Sequence, residues 1–136
     1  MERWFLLGIF AVLLFGIGSF LGKLASINDI SSRVYFFEAI GTLTIFSSFF
    51  LIKRAEILEG FSVNYYAIGM GLTWGLGTVL FIMALENSKL SIITPLTALY
   101  PAVTVLLAYL FLAERLEIKE LIGVVLAIIS IILILK

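Results

Sequence analysis

Five mostly apolar runs, each about as long as a membrane crossing, leave this 136-residue chain almost no polar surface with which to meet water. They cover residues 4–25, 34–52, 64–85, 91–113 and 118–135. As an α-helix, about 20 such residues cross the roughly 30 Å hydrocarbon core of a bilayer. None of the runs sets an apolar stripe against a charged face, as a soluble amphipathic helix does. None alternates with the two-residue period of a transmembrane barrel strand either. Only 13% of the residues are charged and 62% are hydrophobic, too few polar groups to coat a soluble domain of this size. The expected fold is an all-α transmembrane five-helix bundle, with residues 1–136 as a single module.

The boundaries between runs carry charge or turn chemistry: Asn28, Asp29 and Arg33; Lys53, Arg54 and Gly60; Glu86, Asn87 and Lys89; then Glu114 to Glu120. Connections this short favour antiparallel neighbours and leave no room for a soluble domain. The last run has 15 uncharged residues between Glu120 and Lys136. That is about 22 Å of helix, so its ends are expected in the headgroup layer. The first run follows Glu2 and Arg3, exceeds the apolar core of a signal peptide and has no clear small-x-small cleavage site, so it is expected to be retained.

Charge and composition remove several classes of function. Nine basic and nine acidic residues balance to zero, which gives no field for a nucleic-acid partner. With no cysteine and no histidine, thiol chemistry, imidazole relays and most zinc or iron ligation fall away. No catalytic residue, metal or cofactor is expected, and the chain is read as not an enzyme. An intramembrane enzyme would want His, Asp or Cys in the bilayer, whereas only Glu38 and hydroxyls are there.

Glycines in the first and third runs do not have nucleotide-binding spacing. Gly16, Gly18 and Gly22 miss the phosphate-loop pattern, and Leu24 stands where it needs Ser or Thr; Gly69, Gly71 and Gly75 fail the dinucleotide pattern and follow no strand. Gly18/Gly22 and Gly71/Gly75 are small-xxx-small pairs of the kind that let membrane helices approach closely.

The fourth run contains Thr94-Pro95-Leu96-Thr97-Ala98-Leu99-Tyr100-Pro101. Each proline lacks an N–H and crowds the carbonyl four residues earlier, so Pro95 and Pro101 predict a kink. A carbonyl freed in lipid must face protein or a wet cavity. Thr94, Thr97, Pro101 and Thr104 share one face, with Tyr100 beside it, and that face is expected to look inward. The alternative is that the threonine hydroxyls merely bond carbonyls of the preceding turn. Trp74 and Thr78, one turn apart in the third run, are candidates for the same interior, making Trp74, Thr78, Thr97 and Tyr100 the candidate substrate-binding set. Packing alone is the other reading of Trp74.

Glu38 is the most consequential single residue. Without its position the second run keeps only residues 39–52, about 21 Å of helix and too short to cross, so the carboxyl lies in or just under the membrane surface. Intramembrane acids are costly and are usually paired or functional. Desolvation favours the neutral acid, while a nearby ammonium keeps it ionised. Lys23, expected on the same side of the membrane, is the candidate partner. Glu38 and Lys23 are therefore read either as a proton or cation coupling site or as a structural salt bridge.

Residues 84–91, then Pro95-Leu96-Thr97-Ala98-Leu99-Tyr100-Pro101, Leu110-Phe111-Leu112-Ala113-Glu114 and Ile122-Gly123, resemble the C-terminal half of an EamA-type module of the drug/metabolite transporter superfamily. Gly16, Lys23-Leu24-Ala25 and Arg33 fit the same module. Phe15 stands where that family often has Trp, Ala113 where Gly usually precedes Glu114, and Ser130 where a second Gly is usual. Typical members carry two five-helix modules in inverted orientation, whereas this chain carries one, so a second copy is expected. The resemblance implies a central cavity lined by the first four helices of each module, and movement of small metabolites or drug-like compounds by alternating access.

The reading that follows is a secondary transporter acting as a homodimer in the plasma (inner) membrane of a prokaryotic-type cell, with a small-molecule substrate. A non-transporting subunit that packs against an enzyme or larger transporter is the alternative. Arg3, Lys53, Arg54, Arg115 and Lys119 fall on one side, and Lys23, Arg33, Lys89 and Lys136 on the other. Lys/Arg excess normally sets orientation, so this near-tie predicts dual topology and an antiparallel, inverted-repeat dimer.

Overall fold

The computed structural model describes residues 3–115 and 117–135. Met1, Glu2, Leu116 and Lys136 lie outside them, and with them the Lys136 charge of the orientation count and the Glu2 that precedes the first run. The described chain is helical throughout, with no strand: α1 (Arg3–Asn28), α2 (Ser31–Leu58), α3 (Tyr65–Asn87), α4 (Leu90–Thr97), α5 (Tyr100–Phe111) and α6 (Ile118–Leu135). Four spans are long and apolar enough to cross a membrane: α1, α2, α3 and Leu90–Phe111, within which α4 and α5 meet at a break. Each is apolar around its whole circumference, as expected of helices solvated by lipid. By clustering of contacts the chain divides into two compact units, α1 to α3 and α4 to α6.

In the first unit α3 packs against both α1 and α2. Leu85 of α3 is completely buried. Its Cδ1 lies 3.5 Å from where a Cβ on Gly22 of α1 would stand, so the glycine admits the leucine at van der Waals distance. Gly75 of α3 has its nearest neighbour in the Tyr35 hydroxyl, at 3.8 Å from an equivalent Cβ. Gly18 and Gly71, the other members of the two small-xxx-small pairs, face open space. One glycine of each pair thus serves packing within the chain.

Helix ends follow from local chemistry. Asp29 accepts from the Ile30 N–H at 2.9 Å and pairs with Arg33 at 2.8 Å, pinning the turn into α2. Gly60, at φ 59°, follows the C-cap Glu59 in the left-handed conformation that glycine adopts without strain. Asn64 caps α3, its Oδ1 accepting from the Ala67 N–H at 3.1 Å. Before α6 the Glu120 carboxylate reaches back to the Glu117 N–H at 2.9 Å, one half of a capping box.

In the second unit α4 packs against α6, and Ile93 and Ile131 are buried. After α5 the chain turns through Ala113 at φ 53°, with the Glu114 N–H returning to the Ala108 carbonyl. An L-residue there carries roughly 1–2 kcal/mol of strain that glycine does not. Ala113→Gly is therefore expected to stabilise the protein by about 1 kcal/mol, read as a higher midpoint of thermal unfolding in detergent. An unchanged or lower midpoint would refute the strain argument.

Candidate functional site

Three helix ends meet at one end of the first unit: the C-terminus of α1, the N-terminus of α2 and the C-terminus of α3. The Lys23 ammonium donates to the Leu85 carbonyl at 2.6 Å. That carbonyl belongs to the last turn of α3, where backbone oxygens lack helical partners and a cation is favoured by the helix dipole. The N-cap position of α2 is Ile30, whose side chain cannot cap. Glu86 of α3 supplies the missing acceptor from 55 residues away, taking the Ser31 N–H on Oε1. An anionic oxygen at a helix N-terminus is the favourable sign for the dipole. Two opposite charges thus close two helix ends of opposite polarity.

Glu38 lies in the third turn of α2 and is exposed in the chain; its Oε1 accepts from the Thr42 hydroxyl at 2.9 Å. Ion pairs join Arg33 to Asp29 and Lys53 to Glu56. Trp74 sits on α3 with its ring tilted 33° to that of Phe15, centroids 6.3 Å apart. Thr78 donates to the Trp74 carbonyl at 3.0 Å.

Between α2 and α3, at the Glu86 end, lies an open cleft of about 440 Å³ lined by Ile30, Ser31, Ser32, Tyr35, Val79, Met83 and Glu86. The sequence reading did not single out this cleft. Its only signal there is the spacing of Val79, Met83 and Glu86, which puts them on one helix face.

The second unit holds the proline segment. Pro101 has no N–H for the Thr97 carbonyl, so α4 stops at Thr97 and α5 starts at Tyr100. Across the break the Ala98 N–H reaches Thr94 at 2.9 Å and the Leu99 N–H reaches Leu96 at 3.2 Å. The Ala102 N–H goes to Leu99 at 2.9 Å, a tighter three-residue turn. Thr97 donates to the Ile93 and Thr94 carbonyls, both at 3.0 Å, and Thr104 to Tyr100 at 3.2 Å. These hydroxyls bond the preceding turn. The Thr94 hydroxyl is buried without a hydrogen-bond partner among the described residues. Tyr100 is half exposed.

Beside the break, an open cleft of about 600 Å³ runs between α5 and α6. Pro101, Ala102 and Val105 form one wall, Gly123 and Ala127 the other, and Arg115 and Glu120 also line it. Pro101 belongs to this lining; Thr97 and Tyr100 do not. No group of three or more acidic side chains able to hold a metal ion occurs among the described residues.

Against known proteins, the EamA-like transporter family matches residues 2–136. An uncharacterized protein of the archaeon Methanocaldococcus jannaschii is 31% identical over 133 residues, covering 98% of this chain and 96% of that one. No solved structure matches.

The partners of Lys23 and Glu38 predict unequal effects on stability. Lys23→Leu strands the carbonyl of a fully buried residue and is expected to cost about 1–3 kcal/mol. Glu38→Gln keeps an oxygen for Thr42 and is expected to cost less than about 0.5 kcal/mol. A double-mutant cycle by thermal unfolding should give a coupling near zero. A large favourable coupling would show the two side chains to be paired.

Proposed function

We propose, from the premise that this chain belongs to the EamA-like transporter family, that it is a secondary transporter of small metabolites or drug-like compounds working by alternating access as a homodimer. Family membership and the four membrane-crossing spans make it a membrane protein of transporter type. The observation that carries the finer reading is the interrupted span Leu90–Phe111. A span broken at two residues between prolines leaves peptide groups without helical partners, and lipid does not tolerate them unless they face protein or a water-filled cavity. Discontinuous helices of this kind form the midplane sites of many secondary transporters. Thr97 and Tyr100 flank the break and, with Trp74 and Thr78, are assigned to substrate. Pro95 and Pro101 hold the break, and Glu38, with Lys23 at the same end of the first unit, is assigned to proton or cation coupling.

A second copy completes the cavity. The archaeal relative is matched over 96% of its own length, so it too spans one module. The near-balance of basic charge between the two sides supports insertion in both orientations, and an antiparallel pair reproduces an inverted repeat. The membrane assigned is the plasma membrane of a prokaryotic-type cell.

Uptake of a small metabolite panel into proteoliposomes tests the reading. At least one compound is expected to accumulate, with Pro101→Ala slowing uptake at least about tenfold at unchanged folded protein. Glu38→Gln is expected to abolish any acceleration by an imposed proton gradient. No uptake of any compound by well-folded protein favours the non-transporting subunit. Orientation is read separately with Asn28→Cys and Ala55→Cys in this cysteine-free chain. Comparable labelling of both by an impermeant thiol reagent on intact cells is expected; labelling at one site alone overturns the antiparallel dimer.

A further inference from the structure

In the second unit α6 packs against α4, and the open cleft of about 600 Å³ separates it from α5. Its apolar walls are made of small residues, Pro101 and Ala102 on one side and Gly123 and Ala127 on the other. A Cβ on Gly123 would meet no atom within 4 Å, so the cleft is open at that wall. Along α6 the lining runs from Glu120 to Ala127, about 10 Å, and on α5 it reaches Pro101, about 15 Å from the helix end at Phe111. One leaflet contributes about 15 Å, half of the roughly 30 Å hydrocarbon core. The cleft is therefore about one leaflet deep.

Charge is confined to one end of the cleft. Glu114 and Arg115 follow α5 and Glu120 lies in the first turn of α6, so all three belong to the connection between these helices. The crossing span Leu90–Phe111 ends just before them, which sets this connection at the level of lipid headgroups. Arg115 and Glu114 have no ion-pair partner among the described residues. Glu120 gives Oε2 to the Glu117 N–H and keeps acceptor capacity on its other oxygen. An apolar groove stays dry, so at hydrocarbon depth it is filled by acyl chain or by protein. A transmembrane helix would run through both leaflets, whereas this cleft serves one. What fits is an apolar chain of one leaflet's length that ends in an anion for Arg115 and a cationic donor for the two glutamates.

We infer that the α5/α6 cleft holds an aminophospholipid, its acyl chain against Ala102, Gly123 and Ala127 and its phosphate on Arg115, with Glu114 and Glu120 accepting from its ammonium. A guanidinium matches phosphate with two parallel hydrogen bonds, and carboxylates accept charge-assisted bonds from a primary ammonium. Selection between headgroups follows. A choline group has no N–H to donate, and a glycerol headgroup brings uncompensated negative charge beside two carboxylates. The inference goes beyond the transport reading and does not rest on it, since a resident lipid would serve a non-transporting subunit equally.

The test titrates dioleoyl phosphatidylethanolamine, phosphatidylcholine and phosphatidylglycerol, each in detergent, into the delipidated full chain and counts bound lipid by native mass spectrometry. Phosphatidylethanolamine is expected to bind at least about tenfold more tightly than the other two. Arg115→Gln is expected to weaken all three lipids about tenfold. Glu114→Gln combined with Glu120→Gln keeps an oxygen for the Glu117 N–H and is expected to remove the preference for phosphatidylethanolamine while leaving phosphatidylcholine unchanged. Gly123→Leu fills the cleft without meeting a neighbour and is expected to weaken all three lipids in a protein that stays folded. Should the paired glutamine variant fail to fold, the headgroup series on the unaltered chain and Gly123→Leu decide. Equal binding of the three lipids, a preference for phosphatidylglycerol, or binding indifferent to Arg115→Gln and Gly123→Leu overturns the inference. So does a Gly123→Leu chain that loses a second copy of itself but no lipid, which would assign the cleft to that copy.

Discussion

Hydrocarbon offers a peptide group no water, and an N–H or C=O left unpaired there costs several kcal/mol. That demand accounts for the all-helical spans and for the way side chains behave within them. Ser19, Thr44, Ser47, Thr78 and Thr104 each donate to the carbonyl four residues back, so each hydroxyl is satisfied by its own helix. A residue satisfied in this way can face lipid or a cavity at little cost, and a hydroxyl in a span is by itself no sign of a cavity. The demand bites where backbone cannot satisfy itself: at the helix ends met by Lys23 and Glu86, and at the break between Thr97 and Tyr100. Those places, rather than the polar side chains in general, are where this chain has chemistry to offer.

The two ends met by charge differ from ordinary caps in reach. Asn64 and Glu120 act on their own helices, and their loss would fray one turn. Lys23 and Glu86 join different helices, so the same hydrogen bonds that satisfy backbone also tie α1, α2 and α3 at one end. Because there is no hydrophobic drive between helices in lipid, directional bonds of this kind carry much of the specificity of the bundle. Leu85 shows the division of labour: its side chain packs on Gly22 and its carbonyl takes Lys23.

Much of this was legible in the sequence because the period and length of apolar runs are properties of single segments. Four of the apolar runs coincide with spans long enough to cross a membrane, and Gly60 lies at the boundary after α2. What escaped depends on contacts between segments. Nothing local to Glu86 says that it caps a helix beginning at Ser31, and nothing local to Lys23 points to the Leu85 carbonyl. At Ala98 and Leu99 the span tightens into a turn whose angles stay close to helical, between two prolines six residues apart. The left-handed Ala113 was visible only as a departure from the glycine usual in related modules, and its backbone angle explains that glycine. For the candidate site, the sequence singled out intramembrane polar residues, while the α2/α3 cleft is built mainly of apolar ones at a surface.

Helix lengths have a further consequence. The uncharged stretch of α6, residues 121–135, is about 22 Å long, whereas α2 runs about 33 Å from its start to Ile52 before reaching Lys53. One bilayer has to accommodate both. The charged end of α2 keeps its extra turns out of the oil; α6 is not among the four spans long enough to cross, and a crossing by it would oblige the lipid around it to thin or draw headgroups inward. Acyl-chain length thereby becomes a variable of the protein itself: thin membranes relieve the deformation and thick ones amplify it, which biases where in a mixed membrane the chain resides.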